Sequence, residues 1–221
     1  MIAGADPERA EQAKHAERVI DLYASNASAW AALRRDSTIE RPWLDAFVSV
    51  LPANGRSVLE LGCGSGHPIA ADLIERGCAL TGVDAAAPLV DMAARTFPDH
   101  RWLTADMRAL PPLGRFHGVI AWHSLFHLTP AEQRAMFPRL AALALPGAAL
   151  LFTSGAREGV SIGTFEGQPL YHASLDKAEY AALLEANGFD LVQHAEQDPA
   201  CGNATIWLAR RHELASASAA T

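Results

Sequence analysis

Three glycines at alternate positions, Gly62, Gly64 and Gly66, follow an apolar run that ends at Leu61. Glycine lets the main chain approach a ligand closely and adopt conformations that other residues avoid. Asp84 follows about 20 residues later, at a position where a carboxylate can accept hydrogen bonds from ribose hydroxyls. Since open α/β sheets bind ligands at the carboxyl ends of their strands, the spacing predicts a site for an adenosine-containing ligand.

The order of the glycines distinguishes between two cofactor classes. A dinucleotide-binding loop has the pattern G-x-G-x-x-G, with the pyrophosphate at a helix N-terminus. Counted from Gly62, the third glycine of that pattern falls on His67, and Glu60 before the loop suits a cationic amine better than a pyrophosphate. The pattern E-x-G-x-G-x-G therefore favours S-adenosylmethionine over NAD, and a P-loop is excluded because no Gly-Lys-Ser/Thr follows. The remaining alternative is a tight strand-to-helix turn that binds nothing.

Five segments extend this pattern along the chain: VLELGCGSG, TGVDAA, TADMRALP, FHGVIAWHSLFHLTP and PGAALLFTS. Together they resemble the motifs of class I S-adenosylmethionine-dependent methyltransferases of the small-molecule type, over roughly residues 15–210. The resemblance implies S-adenosylmethionine as the cofactor and S-adenosylhomocysteine as the product. It also implies the residues around the adenosine: Asp84 at the ribose, Asp106 at the adenine amino group, Met107 on the ring face, and Ala85 and Leu89 beside the adenine.

Further cofactor contacts are expected from the glycine loop and from the N-terminal helices. The loop residues are Glu60, Gly62, Cys63, Gly64 and Gly66, with Cys63 contributing its backbone more than its sulfur. Tyr23, Trp30 and Arg34 have the spacing Tyr-x6-Trp-x3-Arg, which resembles the start of related methyltransferases. In those relatives an aromatic residue closes over the methionine portion, and an arginine, which suits a bidentate contact, meets its carboxylate. Core packing explains Trp30 equally well, and Arg35 is as good a candidate as Arg34.

Methyl transfer from a sulfonium is an in-line displacement, so the protein must align the reactants and exclude water. A positioned side chain can also remove a proton from the acceptor. Trp122 and His123 directly follow the predicted fourth strand and are expected to line the methionine end of the cofactor. The candidate catalytic residues are His123, which is the preferred base, His127, Tyr171 and His172. His127 also fits a packed, hydrogen-bonded histidine. No third ligand accompanies His123 and His127, so no metal site is predicted.

The elements that must position these residues alternate in type. Apolar segments predict strands at 57–61, 79–83, 102–103, 116–121 and 147–153, with helices predicted between them at 68–76, 88–96 and 129–144. This alternation predicts βαβ crossovers and a mostly parallel sheet covered on both faces. Two final segments, 189–196 and 205–209, predict an antiparallel hairpin. The expected fold is α/β: a Rossmann-like, seven-stranded, mostly parallel sheet with a C-terminal antiparallel hairpin and an N-terminal helical cap.

The predicted organisation is one domain with additions at both ends. Residues 1–52 are expected to form the N-terminal helical cap, 53–212 the cofactor-binding methyltransferase domain, and 213–221 a disordered tail. Within the domain, the glycine-rich stretch 154–174 interrupts the alternation and is interpreted as a substrate loop, with room for a short strand or two.

Composition restricts the class of partner and the compartment. The chain has 221 residues, half of them hydrophobic, with a formal net charge of −7, which argues against a nucleic-acid partner because such partners require a basic face. Its 3 cysteines form no CxxC pair, which excludes a disulfide framework and fits a reducing cytoplasm. The first residues lack a basic patch followed by an apolar run, and the longest apolar run, 140–152, is too short for a bilayer. Neither a signal peptide nor a membrane span is therefore expected.

These observations predict a cytoplasmic methyltransferase that moves a methyl group to N, O or C of a small-molecule acceptor. Two alternatives stay open, an NAD(P)-dependent oxidoreductase and a protein that binds S-adenosylmethionine for regulation without transferring the methyl group. No motif identifies the acceptor, and monomer and homodimer are equally compatible with the sequence.

Overall fold

The structure, a computed structural model, describes the main chain of residues 7–213 and the side chains from residue 11 onward. The predicted disordered tail at 213–221 lies outside the described residues except for Glu213. Four helices precede the first strand: α1 (Pro7–Glu17), α2 (Val19–Ser25), α3 (Ala27–Arg34) and α4 (Arg41–Val50). Asn26 separates α2 from α3, and its side-chain amide donates a hydrogen bond to the Leu22 carbonyl.

The strands of the described residues belong to two sheets. They are β1 (Ser57–Leu61), β2 (Ala79–Asp84), β3 (Arg101–Thr104), β4 (Phe116–Ala121), β5 (Ala144–Ser154), β6 (Gly159–Phe165), β7 (Gln168–Ser174), β8 (Phe189–Asp198) and β9 (Ala204–Arg211). The larger sheet has the order β3-β2-β1-β4-β5-β9-β8, in which β8 and β9 run antiparallel to their neighbours. Strands β6 and β7 form a separate two-stranded sheet.

Helices connect the parallel strands and cover the sheet. They are α5 (Ile69–Glu75) after β1, α6 (Ala87–Thr96) after β2, α7 (Pro130–Leu143) after β4 and α8 (Lys177–Ala186) before β8. The predicted start of α7 is confirmed, because Thr129 accepts from the Glu132 main chain and the Glu132 carboxylate accepts from the Thr129 main chain. No helix in the described part of the chain is both long and apolar enough to cross a membrane.

Apolar side chains form a core on each face of the larger sheet. On one face, Phe137 of α7 and Tyr180 of α8 pack against the Phe152 ring of β5. On the other face, Trp43 and Phe47 of α4 pack in a cluster that also contains residues of α5, β1 and β5. Helix α4 therefore belongs to the layer that covers the sheet, whereas α2 and α3 contact α6. The predicted α/β fold with a seven-stranded, mostly parallel sheet is confirmed.

The stretch predicted as a glycine-rich loop is mostly a β-hairpin. Strand β5 continues to Ser154, and β6 then pairs with β7 in antiparallel register from Gly159–Ser174 to Phe165–Gln168. The two residues of the turn, Glu166 and Gly167, both have positive φ, as a tight two-residue hairpin turn requires. Glycines at several positions lower the local strand propensity of this stretch. The hairpin forms through pairing between β6 and β7, which the local sequence does not predict.

Candidate active site

A cleft lies at the carboxyl ends of β1, β2 and β4 and is covered by α1, α2 and α3. Of the residues expected to contact the cofactor or to take part in catalysis, those that line it are Tyr23, Trp30, Gly62, Asp84, Ala85, Leu89, Asp106, Met107, Trp122, His123 and His127. Those that do not line it are Arg34, Glu60, Cys63, Gly64, Gly66, Tyr171 and His172. The structure therefore brings most of the predicted cofactor residues together in one place.

The glycine loop is shaped by contacts on its far side as well as by the cleft. Gly62 has φ of 77°, and a Cβ atom there would collide with the Ser124 side chain, whose hydroxyl donates to the Leu61 carbonyl. Gly64 has φ of 53° and faces the Trp30 indole. Both positions thus require glycine for two reasons, the positive φ and the close approach of a neighbour. The Cys63 side chain is buried, and burial raises the pKa of its thiol, so this residue contributes its main chain to the loop.

Asp84 ends β2 and ties the glycine loop to the start of α6. Its carboxylate accepts hydrogen bonds from the main-chain N–H groups of Gly64 at 2.9 Å and Ala86 at 2.8 Å. Burial raises the pKa of this carboxyl group, and these main-chain donors oppose the rise. A carboxylate can accept additional hydrogen bonds, so Asp84 can also accept from a hydroxyl pair in the cleft.

Glu60 lies beneath the loop, on β1, and is buried. Its Oε2 atom has no hydrogen-bond partner among the described residues. Burial, and next the charge of Asp84, hold the pKa of this carboxyl group well above its usual range, while the charge of Arg34 lowers it. A buried carboxyl group with an unused acceptor atom is suited to a ligand that brings a cation.

The opposite end of the cleft carries Asp106 and Met107. Arg108 donates from its main chain and its guanidinium to the Asp106 carboxylate, and it also pairs with Glu132 at 2.7 Å. This arginine holds the pKa of Asp106 below its usual range despite the opposing effect of burial. Arg108 fixes the orientation of Asp106 at the cleft. This role was not predicted, because an acidic and a basic residue close together in sequence are only a weak indication of such a pair.

Aromatic side chains from the N-terminal helices and the β6–β7 hairpin meet over the cleft. The ring of Tyr23 lies 5.0 Å from that of Trp30 and 5.6 Å from that of Phe165, measured between centroids. Arg34 is turned toward the buried Glu40 carboxylate, with which it forms an ion pair, and its guanidinium lies 5.9 Å from the Trp30 ring centroid. Arg34 is therefore near the cleft and oriented, although it does not line it.

His123 adopts a backbone conformation that is uncommon for its residue type. Its φ is 50°, and its N–H donates to the Thr153 hydroxyl at 2.8 Å. Left-handed conformations of non-glycine residues cost energy and cluster at functional sites. Burial lowers the pKa of His123 to about 4, so its imidazole is neutral at physiological pH. Trp122 next to it is buried, and its indole N–H has no hydrogen-bond partner.

Both ring nitrogens of His127 have partners. Nδ1 lies 2.9 Å from the carbonyl oxygen of Tyr171, and Nε2 lies 3.0 Å from the Tyr23 hydroxyl. Since the carbonyl can only accept, Nδ1 carries the proton and Nε2 accepts from the tyrosine. Burial lowers the pKa of His127 to about 3, which keeps the ring neutral. His127 therefore connects α2 to β7 and has no free nitrogen for an acceptor's proton.

The remaining two predicted catalytic residues are adjacent on β7 but are placed differently. The Tyr171 ring is buried among apolar residues such as Val19 and Leu22 and does not line the cleft. This position differs from the expected one, because alternate residues of a strand face opposite sides. His172 faces the other way and lines a second cavity, next to Phe126.

In the described part of the chain, no group of three or more His, Cys, Asp or Glu side chains is placed to hold a metal ion.

Sequence reasoning did not single out Ser124 or Thr153, which hold the glycine loop and His123. The sequence does place hydroxyl residues at the ends of β4 and β5. Their hydrogen-bond partners belong to other strands, however, so these contacts could be identified only from the structure.

A comparison with known protein families matches the part of the chain that supplies most of the residues lining this cleft. Residues 58–147 match a family model described as a methyltransferase domain. A curated O-methyltransferase of Pyrenophora dematioidea is 24% identical in an alignment 181 residues long that covers 74% of this chain. The chain spans 66% of the length of that relative.

Solved structures with the same fold cover nearly the whole chain. Magnesium protoporphyrin IX methyltransferase from Synechocystis PCC 6803, solved with SAH, has a TM-score of 0.68 and 21% identity, over 89% of this chain and 99% of that one. The 1,6-didemethyltoxoflavin-N1-methyltransferase of Burkholderia thailandensis, solved with 1,6-didemethyltoxoflavin and S-adenosylhomocysteine, has a TM-score of 0.66 and 22% identity, over 96% of this chain and 93% of that one. At these identities the likeness is one of fold.

Proposed function

We propose, from the premise that this chain is a member of the class I S-adenosylmethionine-dependent methyltransferases, that it transfers a methyl group to a small-molecule acceptor. The premise rests on the methyltransferase-domain match and on the fold. The observation that carries the proposal is the position of Asp84, which lines the cleft at the end of β2 while it is held by Gly64 and Ala86. A carboxylate at this position accepts from the ribose hydroxyls of an adenosine.

The residues present fit S-adenosylmethionine from one end to the other. Asp106 and Met107 receive the adenine, and Ala85 and Leu89 lie beside it. Glu60, with its unpaired oxygen, suits the cationic amine of the methionine portion. Arg34, already oriented by Glu40, is the partner for the carboxylate of that portion. Gly62, Cys63, Gly64 and Gly66 supply the loop under the cofactor, and Tyr23, Trp30 and Trp122 close around it.

When bound, S-adenosylmethionine supplies an electrophilic methyl group on a sulfonium. The chain's own task is to orient an acceptor for in-line attack, exclude water and accept a proton. Tyr23, Trp30 and Phe165 form an aromatic cover that excludes water. Among the three histidines near the methionine end, His127 is committed to Tyr23 and Tyr171, so His123 and His172 are the candidates for accepting the proton.

The similarity to a curated O-methyltransferase supports oxygen as the methylated atom, and the small-molecule acceptors of the solved relatives support an acceptor of similar class. The formal net charge of −7 disfavours a nucleic-acid acceptor. Three buried, free cysteines fit the reducing cytoplasm, which we propose as the compartment. The chain acts as a monomer or a homodimer, which sedimentation of the purified protein distinguishes.

Calorimetric titration with S-adenosylmethionine, S-adenosylhomocysteine and NADH tests the proposed function. We expect the two sulfur ligands to bind and NADH to give no heat. The Asp84→Ala variant should bind the sulfur ligands at least about tenfold more weakly, since it loses hydrogen bonds to a charged group. Asp190→Ala, at an exposed position on β8, is the matched control and should bind normally.

Three outcomes contradict the proposal. Binding of NADH alone would indicate an oxidoreductase. Unchanged affinity in Asp84→Ala would contradict the ribose assignment. Binding of S-adenosylmethionine without any formation of S-adenosylhomocysteine across an acceptor screen would indicate a regulatory binding protein.

A further inference from the structure

A second cavity lies at the carboxyl end of β5, between that strand and the β6–β7 hairpin. Its lining includes Phe126, Ser154, Arg157, Ser161, His172 and Gln197. None of these residues lines the cofactor cleft. The cavity therefore belongs to the same end of the sheet as the cleft but is formed by different side chains.

A group of rings separates the two cavities. The ring of Phe126 lies 4.8 Å from that of His127 and 5.2 Å from that of His172, and the two histidine rings are 4.9 Å apart. On the cleft side, the His123 ring is 5.8 Å from Phe126. Both ring nitrogens of His127 have hydrogen-bond partners, which hold that ring in place. The half-buried Phe126 ring, in contrast, contacts its neighbours through ring packing alone among the described residues. Phe126 is therefore the ring that has to move for a ligand in the second cavity to reach the cleft.

His172 is arranged to accept a proton in the second cavity. The Nδ1 edge of its ring faces Gly163, next to the main-chain carbonyl of Leu170. A proton on Nδ1 would face this carbonyl, which can only accept, and in that tautomer Nε2 is an acceptor. Burial lowers the pKa of His172, so the ring is neutral. Ser161, its partner across the hairpin, lines the same cavity.

The charges around the second cavity favour an anion. Arg157 lines the cavity, and the described residues that line it include no aspartate or glutamate. The neighbouring Glu158 does not line the cavity, and the nearby Arg134 pairs with Glu179 at 2.5 Å. An acceptor with a cationic amine would face Arg157 without a carboxylate partner, whereas an acceptor with a carboxylate would pair with it.

We propose that the second cavity binds the methyl acceptor, that this acceptor is an aromatic hydroxy acid, and that His172 removes its hydroxyl proton. The inference rests on the proposed methyltransferase function and identifies its substrate class. The aromatic ring packs on Phe126, whose face or edge accommodates another ring. The carboxylate pairs with Arg157, and the hydroxyl points to Nε2 of His172 and to the shared wall of the cleft.

The reaction balances without any further reactant. The hydroxyl proton passes to Nε2 of His172 as an oxygen lone pair forms the new O–CH3 bond. The S–CH3 bond breaks, and its electron pair stays on sulfur. The products are an aryl methyl ether, S-adenosylhomocysteine and a protonated His172, which returns its proton to water.

Binding to the protein saturated with S-adenosylhomocysteine tests the acceptor class. The probes are salicylate, 4-hydroxybenzoate and caffeate, each compared with its methyl ester by ligand-observed NMR titration. We expect at least one acid to bind about tenfold more tightly than its ester, the size of one hydrogen bond to a charged group. Arg157→Gln should remove this preference, and Arg56→Gln, an exposed arginine at the opposite end of the sheet, should keep it.

Transfer rates test the role of His172. His172→Gln should slow single-turnover methyl transfer to the bound acid by about 100-fold, as loss of a general base does. Its affinities for S-adenosylmethionine and for the acid should stay close to those of the unmodified protein. With 4-hydroxy-3-nitrobenzoate, whose hydroxyl is already ionised at neutral pH, the variant should recover most of the rate.

The outcomes separate this inference from the function on which it rests. If S-adenosylhomocysteine does not bind, the proposed function fails and the acceptor assignment fails with it. If S-adenosylhomocysteine binds but every acid binds no better than its ester, or Arg157→Gln keeps the preference, the acceptor assignment is overturned and the methyltransferase function stands. If His123→Ala, and not His172→Gln, shows the loss that an ionised acceptor restores, His123 is the base.

Discussion

At the scale of single residues, Glu60 shows how burial prepares a group for a ligand. The carboxyl group is buried under the glycine loop with Oε2 unpaired, and its pKa is well above the usual range. Burying a charge without a partner is costly, so the group is neutral until a cation arrives. A ligand amine in this place would ionise it and release a proton to solvent.

This leads to a prediction for Glu60→Gln. The variant keeps the shape of the side chain but cannot ionise, so its affinity for S-adenosylmethionine should fall about tenfold, the size of a charge-assisted hydrogen bond. Calorimetry in buffers of different ionisation enthalpy should show that the unmodified protein releases a proton on binding and that the variant does not. Equal affinity and equal proton release in the two proteins would place the amine elsewhere.

His127 predicts a dependence of stability on pH. Burial lowers its pKa to about 3 in the folded protein, against 6.5 for an unperturbed histidine. Between these values the unfolded chain binds a proton that the folded chain does not. The contribution of His127 to the free energy of unfolding is therefore complete above the pKa of the unfolded chain. It is lost as the pH falls toward the pKa of the folded protein.

Urea unfolding of His127→Gln measures this effect. The free energy of unfolding should fall less steeply with acidification than in the unmodified protein, by up to about 1.4 kcal/mol per pH unit. His212→Gln, at an exposed position, is the control and should follow the unmodified protein. Parallel curves for all three proteins would show that His127 titrates normally in the fold.

The residue scale also shows what the sequence could predict. The glycines and Asp84 were predicted because their spacing from strand ends determines where they lie in a parallel sheet, whereas Met107 was implied by the resemblance to class I methyltransferases. Tyr171 and His172 could not be separated before β7 was known, since the alternation of a strand decides which of two neighbours faces a cavity. The hydrogen bond that occupies Nε2 of His127 comes from Tyr23. This residue is distant along the chain and reaches His127 only through tertiary packing.

At the scale of elements, local signals and non-local pairing contribute differently. The start of α7 was predictable, because Thr129 and Glu132 satisfy each other's main chain within one turn. The β6–β7 hairpin was predicted as a loop, because glycine weakens strand propensity and its pairing is visible in the fold alone. Local capping chemistry can therefore be predicted from a sequence better than pairing between segments.

Thr129→Ala tests the capping of α7. The substitution removes an acceptor for the Glu132 main-chain N–H, so the free energy of unfolding should fall by about 1 kcal/mol. Thr129→Ser, which keeps the hydroxyl, should lose much less. Helix α7 also supplies Phe137 to the core and Glu132 to Arg108. If both variants lose the same free energy of unfolding, the missing methyl group rather than capping is the cause.

At the scale of the whole molecule, the cleft joins parts of the chain that fold around different elements. The α2–α3 region, the glycine loop, the ends of β2 and β4, and the turn at Asp106 all line it. A ligand that contacts all of them binds the folded chain and not the unfolded one, so it stabilises the protein by mass action. This organisation was predictable from the alternation of strands and helices, whereas the second cavity was not.

Thermal unfolding with S-adenosylhomocysteine measures this stabilisation. At a ligand concentration of about 100 times Kd the gain is about 2.7 kcal/mol. For a chain of this size that corresponds to a rise in Tm of about 5–10 °C. Asp84→Ala, which binds at least about tenfold more weakly, should show about half of this rise or less at the same ligand concentration. An unchanged Tm in the unmodified protein at saturation would contradict binding to the folded state.

The β6–β7 hairpin pairs with itself and forms a sheet separate from the seven strands. Insertions, deletions or exchanges within it leave the register of the larger sheet unaltered, since a shift in one ladder is not transmitted to the other. The lining that it gives to the second cavity, Ser161 and His172, can thus diverge while the cofactor cleft is kept. In evolutionary terms the hairpin is an exchangeable module: relatives of this chain can acquire new acceptors by replacing one short segment.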